Sequence, residues 1–208
     1  MSKLILSSFL LILFGINFSL FGQQIDKEVP ENIMDNIYQE IKTPYKYGLV
    51  IAPHNNGLEY DCPSVFRKGR KWYMIYLVYD GRGYETLLAE SKNLLNWKYL
   101  GKVLSFSDST DWDANQKAGY AALEDYKWGG SYQLKRFANK YWMSYLGGPT
   151  KGYEAGILSI GIAHTKTSPA KAHEWNRLKR PALTVHDSDV SWWDTRTLYK
   201  STIIWDKS

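Results

Sequence analysis

Lys71-Trp72-Tyr73-Met74-Ile75-Tyr76 is answered by Lys140-Tyr141-Trp142-Met143-Ser144-Tyr145, and this doubled phrase decides the fold. The same landmarks follow each copy in the same order. Gly83-Tyr84-Glu85-Thr86, Ala89-Glu90-Ser91 and Asn96-Trp97 come after the first; Gly152-Tyr153-Glu154-Ala155, Ala163-His164-Thr165 and Glu174-Trp175 come after the second. The phrase recurs roughly 70 residues on, and an internal period with several short strands per unit marks propeller blades. Aromatic and β-branched runs suit a pleated, half-buried surface. In the first copy they predict strands over 64–67, 72–79, 84–91 and 98–104, reversed at Lys68-Gly69-Arg70 and Asp80-Gly81-Arg82-Gly83. Trp97 and Trp175 close the third-to-fourth connections and are expected to be core between neighbouring blades.

Outward from the repeats, residues 1–22 combine a basic start with a long apolar run that ends before Gln23-Gln24. They read as a secretory signal peptide cleaved after Gly22, which places the mature protein in the periplasm or outside the cell. The competing reading is an N-terminal membrane anchor; with cleavage, no stable membrane insertion is expected. Residues 23–47 read as a linker with one short helix over 31–41, stopped by Pro44. Residues 48–208 form the incomplete propeller: about two blades, and then, from Thr197 on, the first strand of a third. The chain thus reads as an N-terminal fragment of a longer all-β protein.

The 208 residues are 44% apolar and 23% charged, which excludes a disordered chain. Twenty-six Lys and Arg against 21 Asp and Glu leave a charge of +5, scattered with no basic block, so no nucleic-acid partner is expected. The one cysteine, Cys62, excludes a disulfide framework and a cysteine-based zinc site, and the four histidines lack metal-ligand spacing.

In a four-stranded blade the start of the inner strand, the loop between strands two and three and the connection to the next blade converge on one face. There the sequence places Asp61, the loop residues Asp80, Arg82 and Glu85 with the counterpart Glu154, the insert residues Trp112, Asp113 and Gln116, and Trp193, Asp194 and Arg196. The insert 105–130 also carries Asp108, Asp111, Glu124, Asp125 and Trp128. Aromatic faces among carboxylates, amides and an arginine suit a sugar ring. Glycoside hydrolysis needs two carboxyl groups flanking the scissile bond. The same acids also hold turns by bonding to backbone, and Asp61 before Pro63 is placed to cap one.

Tyr60-Asp61-Cys62-Pro63-Ser64-Val65-Phe66, Trp72-Tyr73-Met74 and Gly81-Arg82-Gly83-Tyr84-Glu85-Thr86 resemble the first blade of secreted bacterial five-bladed propeller glycosidases related to glycoside hydrolase families 43, 117 and 130. Gly129-Gly130-Ser131-Tyr132, Gly147-Gly148 and Trp192-Trp193-Asp194 extend the resemblance over about residues 45–208. It implies a five-bladed propeller of about 330 to 370 residues. It also implies a general base at the Asp61-Cys62-Pro63 motif, with the general acid on a later blade. Asp61 is therefore the expected catalytic residue. Asp80, Arg82, Glu85, Trp112, Asp113, Gln116, Glu154, Trp193, Asp194 and Arg196 are the expected substrate contacts. The implied activity is an exo-acting, inverting hydrolase of an oligo- or polysaccharide, with the present chain inactive on its own. No cofactor is identified, although the complete propeller has room for a calcium ion. The second repeat shows Gly130-Ser131-Tyr132 where family 43 has a further Asp-Pro, and no phosphate-binding basic cluster is present. A non-catalytic carbohydrate-binding propeller and a glycoside phosphorylase of the same fold are the competing functions.

Overall fold

The computed structural model describes residues 28–42, 48–127 and 129–205; the signal-peptide reading, most of the linker and Trp128 fall outside them. The chain divides into two units at Lys46/Tyr47. In the first, α1 (Glu31–Ile41) starts after Pro30, whose fixed φ suits a helix start. It places Ile33, Ile37 and Ile41 on one face, and none of its residues is buried.

The second unit holds two four-stranded antiparallel sheets, ordered β1-β2-β3-β4 and β5-β6-β7-β8. The first comprises β1 (Glu59–Lys68), β2 (Lys71–Tyr79), β3 (Tyr84–Ser91) and β4 (Trp97–Leu104). The second comprises β5 (Gln116–Ala121), β6 (Tyr141–Gly148), β7 (Ser159–Thr165) and β8 (Asn176–Arg177). Two such meanders packed face to face are blades of a partial β-propeller.

The repeated phrase forms the second strand of each blade. Both β2 and β6 are buried on both faces, so they read as continuous apolar runs rather than alternating ones. Ile75, Phe66 and Leu88 of the first blade meet Met143 and Tyr145 of the second in one core. On the opposite face of the first blade, Met74, Tyr76, Val78, Leu87 and Ala89 form a separate cluster that half-covers Trp97. Trp175 sits in the core between the blades.

Stitching between blades depends on Thr86 and Gly119. The Thr86 hydroxyl donates to the Lys117 carbonyl at 2.6 Å and accepts from the Gly119 N–H at 2.8 Å. A Cβ on Gly119 would meet Met143 Sδ at 2.5 Å, so only glycine lets the inner strand approach this closely.

Two expectations need correction. Residues 105–130 are no simple loop insert, because β5, the inner strand of the second blade, lies within them. The strand expected from Thr197 onward is not a strand among the described residues. The segment instead runs across the second blade through single bonds: Leu198 N–H to the Leu158 carbonyl at 3.0 Å, Ser144 Oγ to the Ser201 carbonyl at 2.8 Å, and Leu123 N–H to the Ile203 carbonyl at 2.8 Å. In this it lies on the second blade much as β5 lies on the first.

Candidate active site

Asp61 sits where β1 breaks register. Pairing with β2 shifts between Asp61 and Ser64, because Cys62 takes a left-handed φ of 48° and Pro63 has no N–H for the ladder. The bulge turns the Asp61 side chain outward, exposed, with one carboxylate oxygen accepting the Cys62 N–H at 2.6 Å. The turn-capping bond is therefore real, and it leaves the second oxygen available.

Asp61 and Glu154 line the same closed cleft with Tyr84, Tyr120, Tyr199 and Lys200, whose gaps are too narrow to admit a water molecule. Glu154 comes from the β6–β7 connection at a left-handed φ of 48°, and the Tyr199 hydroxyl donates to its carboxylate. Lys200 Nζ reaches Cys62 Sγ at 3.0 Å, so Tyr199 and Lys200, both exposed, roof the space between the two carboxylates.

The electrostatics tie these groups together. Burial pushes the Tyr84 hydroxyl up, the Tyr153 hydroxyl adds to this, and the charges of Glu154 and Asp61 add more. Tyr120 is pushed up by burial, by Cys62, and by Asp61 and Glu154. Lys200 is raised first by its bond to Cys62, with Asp61 and Glu154 also holding its charge. Three groups from three segments thus feel both carboxylates, as side chains lining one cleft do. Burial also raises the Cys62 thiol.

The remaining expected contacts lie elsewhere. Glu85 is not the counterpart of Glu154: it pairs with Val78, whose place in the second blade is taken by Gly147, which pairs with Ser159. A longer β6–β7 connection carries Glu154 free of the ladder, whereas Glu85 is buried within β3. Glu85 accepts from Lys102 at 2.5 Å and from Ser105. It lines a cleft of about 430 Å³ on the other face of the first blade, with Asp80, Tyr60, Trp97 and Tyr99. Asp80 holds its turn by accepting the Arg82 N–H at 2.9 Å. Arg82 lies over the Phe106 ring at 4.2 Å and donates to Asn115 at 2.6 Å, linking the blades.

Trp112, Asp113 and Gln116 are not brought to the Asp61 cleft. Trp112 stacks on Tyr145, and its ring fills the space a Gly147 side chain would need. Asp113 is fully buried, accepts from the Tyr145 hydroxyl at 2.7 Å, and pairs with Arg177 at 3.3 Å and Lys117 at 3.7 Å. Gln116, also fully buried, donates to the Thr150 and Gly152 carbonyls at 2.9 and 2.6 Å, bracing the connection that carries Glu154. Asp194 accepts the Ser191 N–H at 2.6 Å, while Trp193 and Arg196 are exposed beside it.

Tyr120, Tyr199 and Lys200 are site residues that sequence reasoning misses. Tyr120 lies in a stretch that reads as loop, and only its strand position turns it to the cleft. For Tyr199 and Lys200 the signal is present, since they belong to the segment that aligns with an inner strand. Among the described residues no three His, Cys, Asp or Glu side chains group as metal ligands would, and no helix is long and apolar enough to cross a membrane.

Solved structures similar to the chain include a complex of BT0996 with RGII, at 51% identity and TM-score 0.83 over 86% of this chain and 53% of that one. Another, a glycoside hydrolase, matches at 50% identity and TM-score 0.82 over the same shares. The family 117 glycoside hydrolase Zg3597 of the marine bacterium Zobellia galactanivorans, at 16% identity and TM-score 0.47 over 61% of this chain and 40% of that one, is too dissimilar to bear on the site. No protein-family model matches the sequence, and no curated protein matches it. The chain spans about half the length of the two half-identical proteins.

Proposed function

We propose, from the half-identity to BT0996 and to a solved glycoside hydrolase, that this protein is of a glycoside hydrolase family and forms part of an exo-acting, inverting glycosidase of oligo- or polysaccharides with Asp61 as general base. The complete protein of this reading is a five-bladed, secreted propeller. The observation that carries the proposal is that Asp61 and Glu154 line one aromatic-walled cleft. Their carboxylates answer the requirement for two carboxyl groups on opposite sides of a scissile bond.

In this reading Asp61 takes a proton from water as the water attacks the anomeric carbon. Glu154, steered by Tyr199, faces the sugar from the other side, where a carboxyl group holds ring hydroxyls or serves the leaving oxygen. Tyr84 and Tyr120 supply apolar faces that exclude water and strengthen these electrostatic contacts. Because the gaps of the cleft are too narrow for a water molecule, this reading requires the exposed Tyr199 and Lys200 side chains to move aside before a sugar can enter. The relative solved with RGII directs the choice of substrate to that glycan.

The test is turnover of RGII glycan by the complete protein, as wild type, Asp61→Asn and Glu154→Gln, with the product anomer followed by NMR. The reading expects loss of turnover of at least about a hundredfold in each variant, the scale of general acid–base catalysis, and an initial product of inverted configuration. Unchanged turnover in Asp61→Asn, or a retained configuration, overturns the mechanism. Binding without turnover in the wild type would identify a carbohydrate-binding propeller instead.

A further inference from the structure

We infer that a second sugar-ring subsite adjoins the Asp61–Glu154 cleft, walled by Tyr120, Glu124 and Tyr126; it rests on the glycoside hydrolase reading above. The space is a separate cleft of about 380 Å³, bounded also by Pro63, Ser64 and Ser201. Its size lies within the range of small-molecule sites. Tyr120 walls both clefts, and Pro63 and Ser64 lie two and three positions after Asp61 in β1, so the two spaces share one wall and one strand.

The lining combines groups suited to a saccharide with the apolar Ala121, Ile203 and Ile204. Tyr126 is 65% exposed and offers a flat ring for an apolar sugar face. Ser201 contributes to the wall, although its Oγ is sealed from the cleft and makes no hydrogen bond among the described residues. Glu124 is partly buried beside it, and burial, with the Asp125 charge adding, pushes its carboxyl up to about 7 with no donor bond to offset the shift. Near neutral pH that carboxyl can donate to one sugar hydroxyl and accept from its neighbour.

The backbone beneath Glu124 is held on both sides. The Leu123 N–H donates to the Ile203 carbonyl at 2.8 Å, the Lys135 N–H donates to the Leu123 carbonyl at 2.9 Å, and the Asp125 N–H donates to the Gln133 carbonyl at 2.9 Å. Leu123 itself is buried at a left-handed φ of 57°, which sets the direction of the backbone into Glu124. The carboxyl therefore projects from a fixed frame, as a binding group requires.

The experiment measures binding by calorimetry with two probes, RGII glycan and the monosaccharide mixture from its complete acid hydrolysis. Wild type, Tyr126→Ala, Glu124→Ala and Glu124→Gln are compared, with circular dichroism melts as the check on folding. Tyr126→Ala and Glu124→Ala are expected to weaken the glycan at least about tenfold, equivalent to about 1.4 kcal/mol, while the monosaccharides bind as in the wild type. Glu124→Gln, which keeps a donor and an acceptor, is expected to restore most of the glycan affinity. Glycan affinity within twofold of wild type in both alanine variants overturns the subsite and leaves the Asp61 reading standing. Equal weakening of both probes also overturns it, because the residues would then belong to the first cleft. Failure of the wild type to bind either probe overturns both readings together.

Discussion

Lys200 Nζ stands 3.0 Å from Cys62 Sγ, so the protein's single thiol is covered by a side chain 138 positions further along the sequence. The contact ties the bulge of β1 to the segment that crosses the second blade. It closes the space between Asp61 and Glu154 from above. A lysine against a thiol usually favours the thiolate, yet here burial outweighs it and the Cys62 thiol is raised.

Alkylation checks this balance. The thiolate is the reacting form, so at pH 8 iodoacetamide should modify Cys62 in the folded protein at least about threefold more slowly than in urea. An equal or faster rate in the folded protein would show that Lys200 prevails over burial.

Thr86→Val removes both bonds that join the blades through one hydroxyl. The Lys117 carbonyl and Gly119 N–H would be left buried and unpaired, at about 1–3 kcal/mol for each. Chemical denaturation should register a lower midpoint with an unchanged slope. Gly119→Ala should be at least as damaging, because its Cβ would meet Met143 Sδ at 2.5 Å and Thr86 Oγ1 at 3.0 Å.

The buried charges around Asp113 give a second stability test. Asp113→Ala strands Lys117, which is 1% exposed, without its buried counter-ion. Breaking such a pair costs about 3–5 kcal/mol. The double variant Asp113→Leu with Lys117→Met removes both charges and should recover much of that loss. Denaturation midpoints of Asp113→Leu, Lys117→Met and the double variant measure the coupling.

Glu124 predicts a pH dependence with a definite sign. Its folded pKa of about 7 exceeds the ordinary value of 4.5, so the folded state holds this proton more tightly than the unfolded state. Its contribution is fully present below about pH 4.5 and is lost as pH rises through 7. Urea midpoints of wild type minus Glu124→Gln should therefore fall between pH 5 and pH 8. A flat difference would place the Glu124 carboxyl in ordinary solvent.

The legible parts of this protein are those where local chemistry and tertiary packing agree. The bounds of β3 match the sequence reading, and those of β2 and β4 extend it by one residue, because aromatic and β-branched runs between glycine turns have no competing local structure. The inner strand Gln116–Ala121 is hidden. Gln-Lys-Ala-Gly-Tyr-Ala has a charge and a glycine where a strand would be expected to show bulky apolar residues. Lys117 is tolerated because Asp113 neutralises it, and Gly119 is required because Met143 and Thr86 press against it. Neither neighbour is visible from the strand itself.

The candidate site divides in the same way. Sequence alone determined the repeated blade, the Asp61-Cys62-Pro63 motif and the concentration of aromatics and acids in the connections, since these depend on residue type and local spacing. Tertiary structure decided which acids meet. A longer β6–β7 connection releases Glu154 to line the cleft that Asp61 also lines, while pairing in β3 buries Glu85 on the opposite side of its sheet and the blade interface buries Asp113. The physical reason is that a side chain's chemistry is carried in its own residue, whereas its exposure and its partners are set by register and by segments distant in the sequence.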